Sequence, residues 1–96
     1  MYSNNQTLCY RCPVFDDGPR GPSVRYLEVV ANHNTHMFEV SVDVANGDII
    51  TRSFRLPSEA ADFTATVLSA LLNGAWVDES EIHTAIIEGL NTGGVA

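Results

Sequence analysis

The sequence contains no lysine, and its five arginines face twelve aspartate and glutamate residues, so its 96 residues carry a formal net charge of −7. Proteins that hold nucleic acid through its phosphates need clustered positive charge. We therefore expect no direct contact with nucleic acid. A protein partner of this chain is instead expected to present a basic surface, because complementary charges steer association.

Long hydrophobic runs are also missing. No apolar stretch approaches the ~20 residues that cross a bilayer. Residues 1–6 have neither the basic start nor the apolar centre of a signal peptide. With only two cysteines in the chain, a framework of disulfides is not expected. We expect a cytoplasmic protein with reduced thiols and no contact with membranes.

Signatures of catalysis are absent as well. The sequence has no Gly-x-Ser-x-Gly motif and no phosphate-binding glycine loop. His83 follows Glu79 by one helical turn, a spacing typical of an exposed side-chain pair. A chain of 96 residues has little material for both a core and an enclosed pocket. We therefore expect that the protein is not an enzyme.

The apolar residues that are present indicate an α+β fold. Over residues 38–44 every second residue is apolar, the period of a half-buried strand. Asn46-Gly47 follows, a strong hairpin signal. Another strand is predicted at residues 24–31, joined by a four-residue loop at 32–35. The expected architecture is a three- to four-stranded antiparallel β-meander followed by two α-helices packed on one face.

The hydrophobic pattern also predicts the register of the strands. A strict two-residue turn would place Phe54 and Phe38 on opposite faces, so we expect a three-residue turn with Val40 opposite Phe54. This register places Glu39 opposite Arg55, a favourable cross-strand pair. The other predicted pairs extend the same apolar face: Val44 with Ile50, Phe38 with Leu56, Val29 with Phe38, and Leu27 with Val40.

Helix start and stop signals define the two helices. The first is predicted to begin at Pro57, with Ser58 as its N-cap, and to end at Asn73-Gly74. The second is predicted to follow the N-cap Asp78, with Glu81 completing a capping box. Both carry apolar residues at helical spacing on one side.

These elements predict a chain with one folded domain. Residues 1–22 are expected to form an N-terminal arm and loop, which could include an edge strand at 8–15. The α+β domain is predicted at residues 23–92, and residues 93–96 form a flexible tail.

Two pairs of residues supply the ligand types of a structural zinc site: Cys9-x-x-Cys12 and His33-x-x-His36. Two features argue against a zinc finger: 20 residues separate the two pairs, and Pro13 follows the second cysteine. The competing interpretation is a pair of free cysteines together with solvent-facing loop histidines, which predicts no cofactor. We favour the second interpretation. A zinc-stabilised structural module is the alternative.

Two sets of residues are candidates for binding a protein partner. The acidic set lies near the predicted helix starts and on the outer side of the sheet: Asp62, Asp78, Glu79, Glu81, Glu28, Glu39 and Asp43. The apolar set is a second stripe on the first helix, which forms a homodimer or partner interface unless the second helix covers it. Its members are Ala61, Ala65, Leu68 and Leu72.

In its size, its acidity and its lack of catalytic motifs, the chain resembles the phage-encoded anti-CRISPR proteins and other anti-defence inhibitors. The resemblance is one of type, and no residue motif carries it, so it assigns no site residues. It implies a small acidic protein-protein interaction module that inhibits a nucleic-acid-handling host enzyme. The alternatives are the zinc-stabilised module and a homodimeric adaptor.

Overall fold

A computed structural model describes residues 5–18, 21–43 and 49–92 of the chain. Four strands precede two helices: β1 (Gln6–Gly18), β2 (Gly21–Asn32), β3 (Met37–Asp43), β4 (Ile49–Phe54), α1 (Pro57–Leu71) and α2 (Glu79–Thr92). The strands form one antiparallel sheet in the order β1-β2-β3-β4. The predicted α+β meander with two C-terminal helices is therefore confirmed.

The N-terminal segment is a full strand of this sheet. β1 pairs with β2 along its whole length, and α2 packs against it. Pro13 has no N–H to donate, and it is tolerated because β1 is an edge strand. The register shifts between Leu8 and Tyr10, a β-bulge at Cys9. Residues 6–18 thus belong to the same sheet as the strands of the predicted domain. The predicted tail, residues 93–96, lies outside the described residues.

The β3–β4 register differs by two residues from the predicted one. Phe54 lies opposite Phe38, so the predicted pairing of Phe54 with Val40 is wrong. The reason is the start of α1, which engages the backbone of Leu56: its carbonyl accepts a hydrogen bond from the N–H of Ala60 at 3.2 Å. Leu56 is therefore not available to extend β4. The turn predicted at Asn46-Gly47 falls within residues 44–48, which lie outside the described residues.

A displacement of two residues leaves the faces of the sheet unchanged, because side chains alternate with a period of two. Phe54 therefore faces the helices as expected, and its ring centroid lies 5.2 Å from that of Phe63 on α1. The expected pair on the other face is lost, since Glu39 lies opposite Ser53 and not opposite Arg55.

The turn between β2 and β3 has four residues as predicted, but it begins one residue later, at His33. The side chain of Asn32 explains this position. Its Oδ1 accepts hydrogen bonds from the N–H groups of Asn34 (3.0 Å) and Thr35 (3.3 Å), an Asx turn. The resulting pairs correct the predicted register by two residues: Val29 with Val40, and Leu27 with Val42.

The first helix begins without the predicted side-chain cap. Leu56 occupies the N-cap position and Pro57 the first helical position, which places Ser58 inside the first turn. Ser58 is therefore not the N-cap. Glu59 compensates, because its carboxylate accepts a hydrogen bond from the N–H of Leu56 at 3.2 Å. The helix ends as predicted at Asn73-Gly74, where both residues have positive φ (59° and 83°).

The second helix begins as predicted. Asp78 Oδ1 accepts hydrogen bonds from the N–H groups of Ser80 (2.9 Å) and Glu81 (3.3 Å), which identifies it as the N-cap. Both helices lie on one face of the sheet, with α1 over β3 and β4 and α2 over β1. Within the described residues, neither helix is long and apolar enough to cross a membrane.

The core lies between the sheet and the helices. Its largest fully buried side chains come from both layers: Leu27, Ile86, Val29, Val40, Thr64 and Cys9. Thr64 is the polar member of this set, and within the described part of the chain its Oγ1 has no hydrogen-bond partner. An unpaired buried hydroxyl costs free energy that folding does not recover.

Replacing Thr64 with valine is therefore expected to stabilise the protein by about 1 kcal/mol, because the shape is kept and the unpaired hydroxyl is removed. For a domain of this size, that corresponds to a melting temperature about 4–8 °C higher. Thr66→Val is the control: its exposed Oγ1 donates to the carbonyl of Asp62 at 2.9 Å, so no gain is expected. A lower melting temperature for Thr64→Val would contradict the prediction.

Candidate protein-binding surfaces

The fold places the predicted acidic residues on two opposite faces. Glu28, Glu39 and Asp43 alternate with core residues of β2 and β3, so they lie on the sheet face that the helices do not cover. The other acidic residues lie on the helices, and we refer to them as the acidic ridge: Asp62 on α1, and Asp78, Glu79 and Glu81 at the start of α2. A flat partner surface cannot contact both faces at once.

On the outer sheet face, part of the negative charge is already neutralised within the chain. Arg11 Nε lies 3.4 Å from a carboxylate oxygen of Glu28, and the Arg11 guanidinium lies 3.9 Å from the ring centroid of Tyr26. These residues form one side of a shallow depression of about 190 Å³. Its lining is Arg11, Tyr26, Glu28, Ser41, Asp43 and Ile49.

On the acidic ridge, two carboxyl groups from different helices meet each other. A hydrogen bond to Asp62 raises the pKa of Glu79 above its usual value, and the negative charge of Asp62 adds to this effect. His83, one helical turn later, offsets part of this increase in the pKa of Glu79. Because its folded pKa is raised, Glu79 contributes stability that is present below its ordinary pKa and lost as the pH rises through the folded value. The negative charges of the two carboxyl groups therefore repel each other, and His83 offsets this repulsion only in part.

The loop between the helices presents an exposed tryptophan. Trp76 has 84% of its surface accessible, and Leu72 at the start of the loop has 48%. The loop backbone is ordered by hydrogen bonds, among them Gly74 N–H to the carbonyl of Ser69 at 2.7 Å. No periodicity in the sequence singles out Trp76. The sequence signal that could have identified it is its position between a helix stop signal and an N-cap, which places it in a loop.

The predicted apolar stripe on α1 is mostly inside the fold. Ala61 is fully buried and Leu68 is 3% exposed, both in the core cluster. Ala65 is partly buried against the same cluster. Since α1 packs against α2, the stripe is covered within the chain and is not available as a homodimer or partner interface. Leu72 is the exception, because it lies beyond the last turn of the helix.

The four predicted metal ligands do not converge. Cys9 is buried, and its thiol donates to the carbonyl of Thr7 at 3.5 Å. Burial raises the pKa of this thiol, which disfavours the thiolate that a metal requires. Cys12 pairs with the middle of β2, whereas His33 and His36 lie in the turn beyond its end. Across residues 5–18, 21–43 and 49–92, no three His, Cys, Asp or Glu side chains are grouped so as to hold a metal ion.

The turn histidine instead joins two parts of the fold. His33 Nε2 and Thr7 Oγ1 are hydrogen-bonded at 2.8 Å, and the His33 N–H donates to the carbonyl of Asn5 at 2.7 Å. These bonds connect the β2–β3 turn to the beginning of β1. His33 therefore has a structural role in this arrangement.

Comparison with known proteins does not identify a family for the chain. A scan of protein families found no match, and neither did searches of the curated proteins and of the solved structures.

Proposed function

We propose that the chain is a small acidic protein-binding module that attaches to a basic surface on its partner through the acidic ridge. The observation that carries this proposal is that the packing of α1 against α2 brings exposed carboxylates of both helices together, with Asp62 beside Glu79. Like charges held together disfavour their ionised forms in the isolated protein. A cation supplied by the partner relieves this repulsion between the two carboxylates.

The ridge suits this role better than the outer sheet face. On the outer face Glu28 already has Arg11 as a partner. On the ridge the strongest influence on the pKa of Glu79 comes from another acid, Asp62. Complementary charge increases the association rate most where it is concentrated and exposed.

The partner surface that best matches the ridge is the basic groove of an enzyme that handles nucleic acid. Such a groove presents arginine and lysine side chains arranged for phosphates. With a net charge of −7 and no lysine, the chain carries few positive charges that the basic groove would repel. The module then acts as an inhibitor that competes with nucleic acid, in the manner of phage anti-CRISPR and other anti-defence proteins.

The test compares two double variants that remove the same charge. Asp62→Asn with Glu79→Gln neutralises the pair on the ridge, and Glu39→Gln with Asp43→Asn neutralises two acids on the outer face. The partner enzyme is first isolated by affinity capture on the wild-type protein. Its association rates with the variants are then measured from about 50 mM to about 500 mM salt, a range over which exposed charges become screened. The wild-type rate should fall as salt rises, and added nucleic acid should compete.

The ridge variant is expected to associate at least about tenfold more slowly at low salt, the lower limit for electrostatic steering. The outer-face variant should behave like the wild type. A wild-type association rate that stays constant across the salt range would refute the proposal, as would equal losses in the two variants.

A further inference from the structure

We propose that Trp76, together with the adjoining carboxylates of the acidic ridge, binds an arginine side chain of the partner. This inference rests on the proposed function and adds the residue that anchors the interface. The acidic ridge accounts for the attraction of a basic partner and for the association rate. A stacked aromatic residue accounts for the affinity and for the preference for arginine over lysine.

Trp76 is presented outward on an ordered backbone. The side-chain hydroxyl of Ser69 donates to the carbonyl of Ala75 at 2.8 Å, which holds the residue before Trp76 against the end of α1. The residue after it, Val77, packs against the core. With both neighbours held, the backbone that carries the 84% exposed indole needs little further ordering on binding. Exposed tryptophans of this kind are frequent hot spots of protein interfaces.

The α2 part of the acidic ridge begins two residues after this ring in the sequence, at Asp78. Glu79 follows Trp76 by three residues, so their Cα atoms are separated by at most about 11 Å. Asp62 contacts Glu79 and extends the negative charge away from the loop. A guanidinium can stack on an indole face and donate two hydrogen bonds to a carboxylate at its edge, whereas a lysine ammonium is more strongly hydrated and lacks the planar fork.

The chain already uses the same chemistry on its outer face. There the guanidinium of Arg11 lies 3.9 Å from the ring centroid of Tyr26, and its Nε lies 3.4 Å from Glu28. One aromatic ring and one carboxylate thus contact the same guanidinium in this protein. At the ridge, the chain supplies the ring and the carboxylates, and the partner supplies the arginine.

The test uses two peptides of equal length, an oligo-arginine and an oligo-lysine, at low salt. Trp76 is the single tryptophan of the chain, so its fluorescence reports directly on contact with the ring. The oligo-arginine is expected to quench the emission and to bind about five- to tenfold more tightly, the size of a partly desolvated cation–π contact. Trp76→Ala should abolish this preference, and Trp76→Phe should retain part of it, as measured with a fluorescently labelled peptide.

The controls separate this inference from the proposed function. Circular dichroism should show that the Trp76 variants fold normally, as expected for so exposed a side chain. Equal affinities for the two peptides, without a change in emission, would overturn the role of Trp76. The proposed role of the acidic ridge would still hold in that case if the double variant Asp62→Asn with Glu79→Gln bound both peptides more weakly than the wild type. If neither peptide bound the wild type, both proposals would fail.

Discussion

Replacement of Gly89 with alanine is expected to destabilise the protein by about 3 kcal/mol or more, at the upper end of the range for overpacked cores. A Cβ at this position would lie 2.1 Å from the carbonyl oxygen of Cys9 and less than 3.0 Å from two further backbone atoms of that residue. The obstacle is the backbone of β1, which cannot rotate aside as a side chain can. The higher helix propensity of alanine offsets only about 1 kcal/mol of this cost.

Urea denaturation of the variant and of Gly74→Ala provides the measurement and its control. Gly74 has a φ of 83°, and a Cβ added there would meet no atom within 4 Å. Alanine at this position therefore costs only the strain of the left-handed conformation, about 1 kcal/mol. The same chemical change should have a much larger effect at Gly89. Equal midpoints for the two variants would mean that α2 does not approach β1 at Cys9.

Replacement of Phe54 with lysine is expected to have the second largest effect, a loss of about 2–4 kcal/mol for a partly buried aromatic residue. Phe54 lies opposite Phe38 in the sheet, and its ring packs against Phe63 at a centroid distance of 5.2 Å. Lysine would lose both contacts and bring a charge towards the core.

Ile49→Lys is the matched control on the same strand. Ile49 is 67% exposed and lies on the outer face, so its replacement should cost less than ~1 kcal/mol, as for most surface changes. Both variants are compared with the wild type by chemical denaturation. If Ile49→Lys were as damaging as Phe54→Lys, the faces of β4 would be assigned the wrong way round.

The face of each strand could be read from the sequence, but the register could not. Alternation of apolar and polar residues has a period of two, so every displacement by two residues satisfies it equally well. The structure selects among these registers through local hydrogen bonds: the Asx turn of Asn32 for β2–β3, and the engagement of Leu56 by α1 for β4. The N-cap of α2 was predicted correctly, because the carboxylate of Asp78 accepts hydrogen bonds from the first turn. The N-cap of α1 was not, because α1 begins at Pro57 and Ser58 lies inside its first turn.

The sequence by itself also determined the charge of the protein, and with it the expectation of a basic partner. It could not determine which of the acidic residues lie together, because residues distant in sequence meet only through packing. Asp62 and Glu79 belong to different helices and come into contact only when α1 and α2 pack. Glu28, Glu39 and Asp43 carry the same charge but face the other way, since the sheet separates them from the helices. The acidic ridge and the exposure of Trp76 are therefore products of the tertiary structure.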